Sequence, residues 1–324
     1  MQYWEVVTRS FRIAWNHKYL WLIALFSGEA GGGYSFNFNP QGPSTSTGGE
    51  PSQSTAQIQQ QITTWLNDHA GLIVVLAALW LVLVVAFFIL GAICEGATVR
   101  ASAEHDAERP FGLGWAWRSG MTTLGAVVRF RLILLLLYLP LLLVLVGLGA
   151  SIAVAVLNRG GGAVGVIFLF AILALLGIPY AIYLFFLDRL GLRALVLEQL
   201  GARASFARGH RLLFKRLGRT LLVWLLSIAV GFALGIGLAC VGTIAVLPFV
   251  LIGAGLAAAN SAALVPVIIL AVIILLPLFL VVGGFLAAQS STYWTLAFRR
   301  LDLDPVPMPG YLYQPAPQPP QATP

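Results

Sequence analysis

The chain has 324 residues, 59% of them hydrophobic and only 10% charged, against about 45–50% and about 25% in ordinary soluble domains. Its 19 Lys and Arg against 12 Asp and Glu give a net charge of +7, but the charges sit in short clusters between long uncharged runs. These figures exclude a soluble domain, a disordered chain, a disulfide-stapled secreted scaffold and a basic nucleic-acid binder. They predict an all-α polytopic integral membrane protein.

A hydrocarbon core about 30 Å thick needs roughly 20 apolar residues in helix, because lipid cannot hydrogen-bond a bare backbone. The leader carries Tyr3, Trp4, Phe11 and Trp15 and reads as an interfacial helix. A first span follows at about 19–34, although Glu29 and the glycines at 31–33 come soon after Ser27. A cleaved signal peptide is the competing reading of that segment. Residues 30–69 form an outer loop rich in Gly, Ser, Thr, Asn and Gln, ending in the lead Ile62-Thr63-Thr64-Trp65-Leu66.

Further spans are predicted at 71–94, 132–157 and 163–187. From Leu221 to Phe298 the chain runs 78 residues without an Asp, Glu, Lys or Arg. Two spans, 220–246 and 264–289, account for it. Between them Pro248, Gly253, Gly255, Asn260 and Ser261 mark 247–263 as an extracytoplasmic connection that lies in the interface or dips back into protein. The membrane domain covers 1–302, and the Pro-rich residues 303–324 form a disordered cytoplasmic tail. Cys94 and Cys240 fall on opposite sides of the bilayer and stay unpaired.

Alternating the segments places eighteen of the nineteen basic residues on one side, with only Arg159 on the other. By the excess of basic residues in cytoplasmic loops, six spans with both termini in the cytoplasm are expected. A threefold repeat of interfacial helix, span out and span back is also expected. Its entry phrases are Ser10-Phe11-Arg12-Ile13-Ala14-Trp15, Leu113-Gly114-Trp115-Ala116-Trp117-Arg118 and Ser205-Phe206-Ala207-Arg208-Gly209-His210. Its exits are Gly96 to Ala101, Leu190 to Leu195 and Tyr293 to Arg299.

The stretch Ser10 to Trp21, the middle phrase Glu198 to Gly218 and the exit Tyr293 to Asp302 resemble a broad group of uncharacterised bacterial six-span proteins. That group is similar to the membrane domain of bacterial glycerophosphodiester phosphodiesterases. The resemblance implies a bacterial cytoplasmic-membrane location and a fold. It implies no activity, since the soluble catalytic domain has no counterpart in this chain.

Among candidate sites, Ser205 is placed as the N-cap of a helix on which Arg208, Arg211, Lys215 and Arg219 form a basic stripe. Such a stripe can hold anionic lipid headgroups of the inner leaflet, at about 1 kcal/mol per basic residue. Topology alone would also explain it. Gly231, Gly235 and Gly237 are read as a small-residue face for close helix packing. Pro140, Pro179, Pro266 and Pro277 are expected to kink or open spans. Glu104, His105, Asp106 and Glu108 gather in one loop but lack the separated spacing of a metal site, so no metal or cofactor is expected. Asp188 beside Arg189, and Glu95 near Arg100, read as local ion pairs at span ends.

No span centre carries an ionisable residue, which disfavours an ion-coupled transporter. The phosphate-loop, zinc-protease and serine-hydrolase motifs are missing. The expected function is therefore non-catalytic: a scaffold or accessory subunit engaging lipid, or a protein partner not named by the sequence, through a basic cytoplasmic face. The alternative is a passage for an uncharged or amphiphilic, lipid-like substrate, which a cavity lined by the Gly and Pro positions and open to one leaflet would favour.

Overall fold

The computed structural model describes residues 3–27, 63–66, 69–158, 163–259 and 263–301. Apart from one helical turn at 63–66, the described residues form eight helices. They are α1 (Tyr3–Asn16), α2 (Tyr19–Phe26), α3 (Ala70–Asp106), α4 (Leu113–Asn158), α5 (Ala163–Leu197), α6 (Ala202–Lys215), α7 (Leu217–Ala258) and α8 (Leu264–Leu301). Five of them, α3, α4, α5, α7 and α8, are long and apolar enough to cross a membrane. The fold is that of a multi-pass helical membrane protein.

These helices outrun the spans read from the sequence. α3 has 37 residues, about 55 Å at 1.5 Å per residue, nearly twice the hydrocarbon thickness. The surplus lies at one end, which also carries the charges. There α3, α5 and α8 bury their last three or four turns, including Ala97, Val99, Leu190, Leu192, Leu296 and Ala297. Through the apolar stretches the long helices stay open, with Leu79, Trp80, Leu135, Leu136, Phe168 and Ile244 exposed. Apolar side chains facing outward along a 30 Å band are what a lipid solvent allows and water does not. The protein core therefore sits at the charged end.

Three shorter segments pack around that core in a ring. The first half of α4 lies along the end of α3, α6 lies along the end of α5, and α1 with α2 lies along the end of α8. Each contact is made by two small buried residues four apart, hence on one helix face. They are Ser10 and Ala14 on α1, Ala116 and Gly120 on α4, and Ser205 and Gly209 on α6. A Cβ on Gly209 would come 3.0 Å from the Gly191 nitrogen, and one on Gly120 would collide with the Ile93 carbonyl. Glycine is needed at both because backbone meets backbone.

Several expected boundaries change. The stretch 247–263 is largely helix: α7 continues through Pro248 to Ala258, Ala259 and Ala263 are turn, and 260–262 lie outside the described residues. An all-apolar run gains nothing by unwinding in lipid, so one proline does not end the helix. Pro140, Pro179 and Pro277 likewise sit inside continuous helices. Pro266 falls in the first turn of α8, where its missing N–H has no partner to lose. α2 is only eight residues long and gives way at Ser27 to an extended backbone; the rest of the predicted first span, 28–34, and the tail lie outside the described residues. Ser205 is not an N-cap. Gly201 holds that position, while Ser205 is buried a turn inside α6 and donates to the Ala202 carbonyl at 2.7 Å.

Candidate functional site

The charged end is where the polar chemistry of the molecule collects. One element of it is an ion triad joining three helices. Arg131 of α4 donates through Nε to Glu95 of α3 at 2.9 Å, and through one terminal nitrogen to Asp188 of α5 at 2.7 Å. Its other terminal nitrogen also meets Glu95, which is 1% exposed. This departs from the local pairs expected at the span ends. Arg100 turns instead to Glu104 at 2.9 Å, one helical turn on, whereas residues five apart on one helix point to different sides.

A second cluster ties α1, α3 and α8. Asp106 accepts from Arg9 at 2.8 Å and from Arg299, and Glu108 lies 3.5 Å from Arg9. Glu104 also meets Arg109 at 3.3 Å. Glu5 pairs with Arg300, and Glu198 with Arg208, each at 3.3 Å. Glu104, His105, Asp106 and Glu108 thus do not converge on one point: Glu104 faces Arg100 and Arg109, while Asp106 and Glu108 share Arg9. Among the described residues no group of three or more His, Cys, Asp or Glu could hold a metal.

His105, past the apolar run of α3, has a different neighbour set. The Tyr19 hydroxyl lies 2.5 Å from its Nε2, and the His17 ring stacks on it with centroids 3.6 Å apart and planes 9° from parallel. Burial pushes its pKa down from 6.5 to about 4, helped by His17 and opposed by Glu104. Burial lowers His17 as well. Both rings are therefore neutral near pH 7.

All seven acidic residues in the described part are engaged in these pairs. The basic residues outnumber them. Arg12, Lys18, Arg118, Arg129, Arg203, Arg211 and Arg219 are exposed and form no ion pair among the described residues; Arg211 donates only to the Ala207 carbonyl. Alongside them Trp4, Trp15, Trp115 and Trp117 stand exposed, as aromatic residues do at a membrane–water boundary.

Beside this end, α7 and α8 touch where the Tyr293 hydroxyl donates to the Val223 carbonyl at 2.7 Å. They approach again where a Cβ on Gly242 would meet Phe279 at 3.9 Å. Close to the first contact a cavity of about 610 Å³ opens, with Phe185 of α5 on one wall. Ser227, Gln289 and Ser290 line its end nearest the charges, and Gly231, Gly235 and Ala239 run away from them.

The sequence-derived candidates are redistributed by this arrangement. Arg208 pairs with Glu198, and a break at Arg216, φ −129°, puts Arg219 on α7. The stripe of Arg208, Arg211, Lys215 and Arg219 is thus not one helix face. Gly231 and Gly235 line the cavity, and a Cβ on Gly235 or Gly237 would meet nothing within 4 Å. No other helix among the described residues packs on Gly235 or Gly237. Sequence reading missed the triad around Arg131. Its signal was the second arginine of Arg129-Phe130-Arg131 at the start of an apolar run, with acids at the ends of two neighbouring spans. The cavity had no sequence signal beyond the glycine spacing.

No curated protein and no solved structure matches this chain. A family model does, over residues 7–298, which takes in the ring of small-residue contacts, the ion triad and the cavity alike. The chain belongs to DUF7544, a family of unknown function.

Proposed function

We propose that this is a non-catalytic integral protein of the bacterial cytoplasmic membrane, acting as a scaffold or accessory subunit that engages anionic lipid through its charged end. One observation carries the reading: every acid in the described part is consumed by internal pairs, leaving seven outward basic residues, with exposed tryptophans on α1 and α4. A surface of that composition is complementary to the anionic headgroups of the inner leaflet. It supports a cytoplasmic orientation for the charged end and for both termini.

Six spans fit this reading. The Phe26 carbonyl packs beside Gly91, while the chain re-enters at Ala70, about 30 Å away along α3. The segment between them has to cover that distance, which supports a first crossing before α3. The ring of three small-residue contacts supports a threefold repeat, with its register on α4 moved to Ala116-Trp117-Arg118-Ser119-Gly120. The likeness to the membrane domain of glycerophosphodiester phosphodiesterases stays part of this proposal as a statement of fold.

The test is native mass spectrometry of the protein taken from vesicles of equal phosphatidylglycerol and phosphatidylcholine. The intact protein should retain phosphatidylglycerol in several-fold excess. Replacing Arg118, Arg129, Arg203, Arg211 and Arg219 by Gln should abolish that excess while the melting temperature holds. An unchanged ratio in the variant overturns the reading.

A further inference from the structure

We infer that the cavity between α5, α7 and α8 holds one acyl chain of an anionic phospholipid, its ester region at Ser227, Gln289 and Ser290. The cavity's 610 Å³ falls inside the range of roughly 300–1,000 Å³ in which small molecules are bound. Its polarity is graded along one axis. The hydroxyl and amide groups lie at the charged end, and the wall formed by Gly231, Gly235, Ile236 and Ala239 offers no polar side chain. An amphiphile has that gradient, whereas an uncharged polar solute or a second apolar helix does not.

The position of the opening selects a lipid in particular. Ile228, Phe232 and Ile236 line the cavity yet are 46%, 70% and 52% exposed, so its mouth lies on the outward apolar surface of α7. Within a bilayer that surface meets hydrocarbon, and lipid tails enter without leaving lipid. Ser227 donates its hydroxyl to the Trp224 carbonyl at 2.8 Å, but the rest of the polar rim is not used up internally. The Ser290 hydroxyl has no hydrogen-bond partner among the described residues, and the Gln289 amide reaches Ser10 only at 3.4 Å. A lipid ester carbonyl supplies the acceptor that Ser290 lacks.

Charge decides the headgroup. No acidic side chain lines the cavity, and its polar end faces the charged end of the molecule, where the charged side chains without an ion pair among the described residues are all basic. This assignment rests on the proposed meeting of the charged end with anionic headgroups. It is tested at different residues, so the two can fail separately.

The experiment uses the full chain in vesicles doped with phosphatidylglycerol bearing a diazirine near the end of one acyl chain. Crosslinked peptides are mapped after irradiation. Label should concentrate on residues 231–239, and Gly235→Leu should cut it at least fivefold by filling the space. Gly237→Leu, one helical step off the lining, should leave it unchanged. Added Cβ atoms at both positions meet nothing within 4 Å, and Ala239→Leu at the apolar end serves as a second filling variant. A phosphatidylcholine probe with the same tail should label at least fivefold less. The inference is overturned by equal labelling in both filling variants, by label spread evenly over the lipid-facing helices, by equal labelling with phosphatidylcholine, or by crosslinks to a second copy of the chain.

Discussion

Arg131 and Glu95 meet at two points across the α3–α4 contact, with the carboxylate almost fully enclosed. Because Arg131 also holds Asp188, one guanidinium fixes the relative positions of three long helices. Removing a single partner of a buried pair leaves the other charge uncompensated, at a cost of about 3–5 kcal/mol. Arg131→Met should therefore lower the melting temperature sharply. Arg131→Lys should recover little of it, since an ammonium cannot make the paired parallel bonds of a guanidinium. Adding Glu95→Gln to Arg131→Met should restore part of the loss. Tryptophan-fluorescence melts in detergent check this, and an Arg131→Met protein as stable as the parent would remove the triad from the account of the fold.

The glycines divide into two classes with opposite expected behaviour. At Gly120 and Gly209 an added Cβ runs into the backbone of Ile93 or Gly191, so Gly120→Val and Gly209→Val should each cost about 1–3 kcal/mol or more through forced separation of the helices. At Gly235 and Gly237 an added Cβ meets open space. There alanine should be neutral or stabilising, up to about 1 kcal/mol from helix propensity. Parallel melts of the four variants decide the matter, and a large loss at Gly237→Ala would place a helix against that face.

The helical class and the positions of the five long apolar helices were legible because a charge-free run of 20 or more residues has few other fates. The way those helices end was less legible. α3, α5 and α8 continue three turns past their apolar runs because Ala97, Gly191 and Ala297 let small-residue faces pack there, and hydropathy does not register packing between helices. Arg100 and Arg189 were the nearer partners of Glu95 and Asp188 in sequence, yet Arg131 took both, from 36 and 57 residues away. The basic stripe was misjudged for a local reason. Its 100° spacing assumes an unbroken helix, and the break at Arg216 falls in a Lys-Arg-Leu-Gly sequence that the helical period alone reads straight through.

Acid should weaken the packing of α1 and α2 on α3. His105 is held neutral with its pKa near 4, against 6.5 when exposed, and His17 stacked on it is lowered too. The unfolded chain then binds more protons than the folded one between those values, so stability falls as the pH falls. The contribution is complete above about pH 6.5, is lost progressively toward pH 4, and changes no further below that. Protonating both rings at a 3.6 Å stacking distance would also set two positive charges face to face, which steepens the loss. Melting temperatures measured from pH 8 to pH 4 should show the parent falling more steeply than a His17→Gln, His105→Gln double variant. Identical slopes for the two proteins would show that the histidine pair does not couple proton binding to the fold.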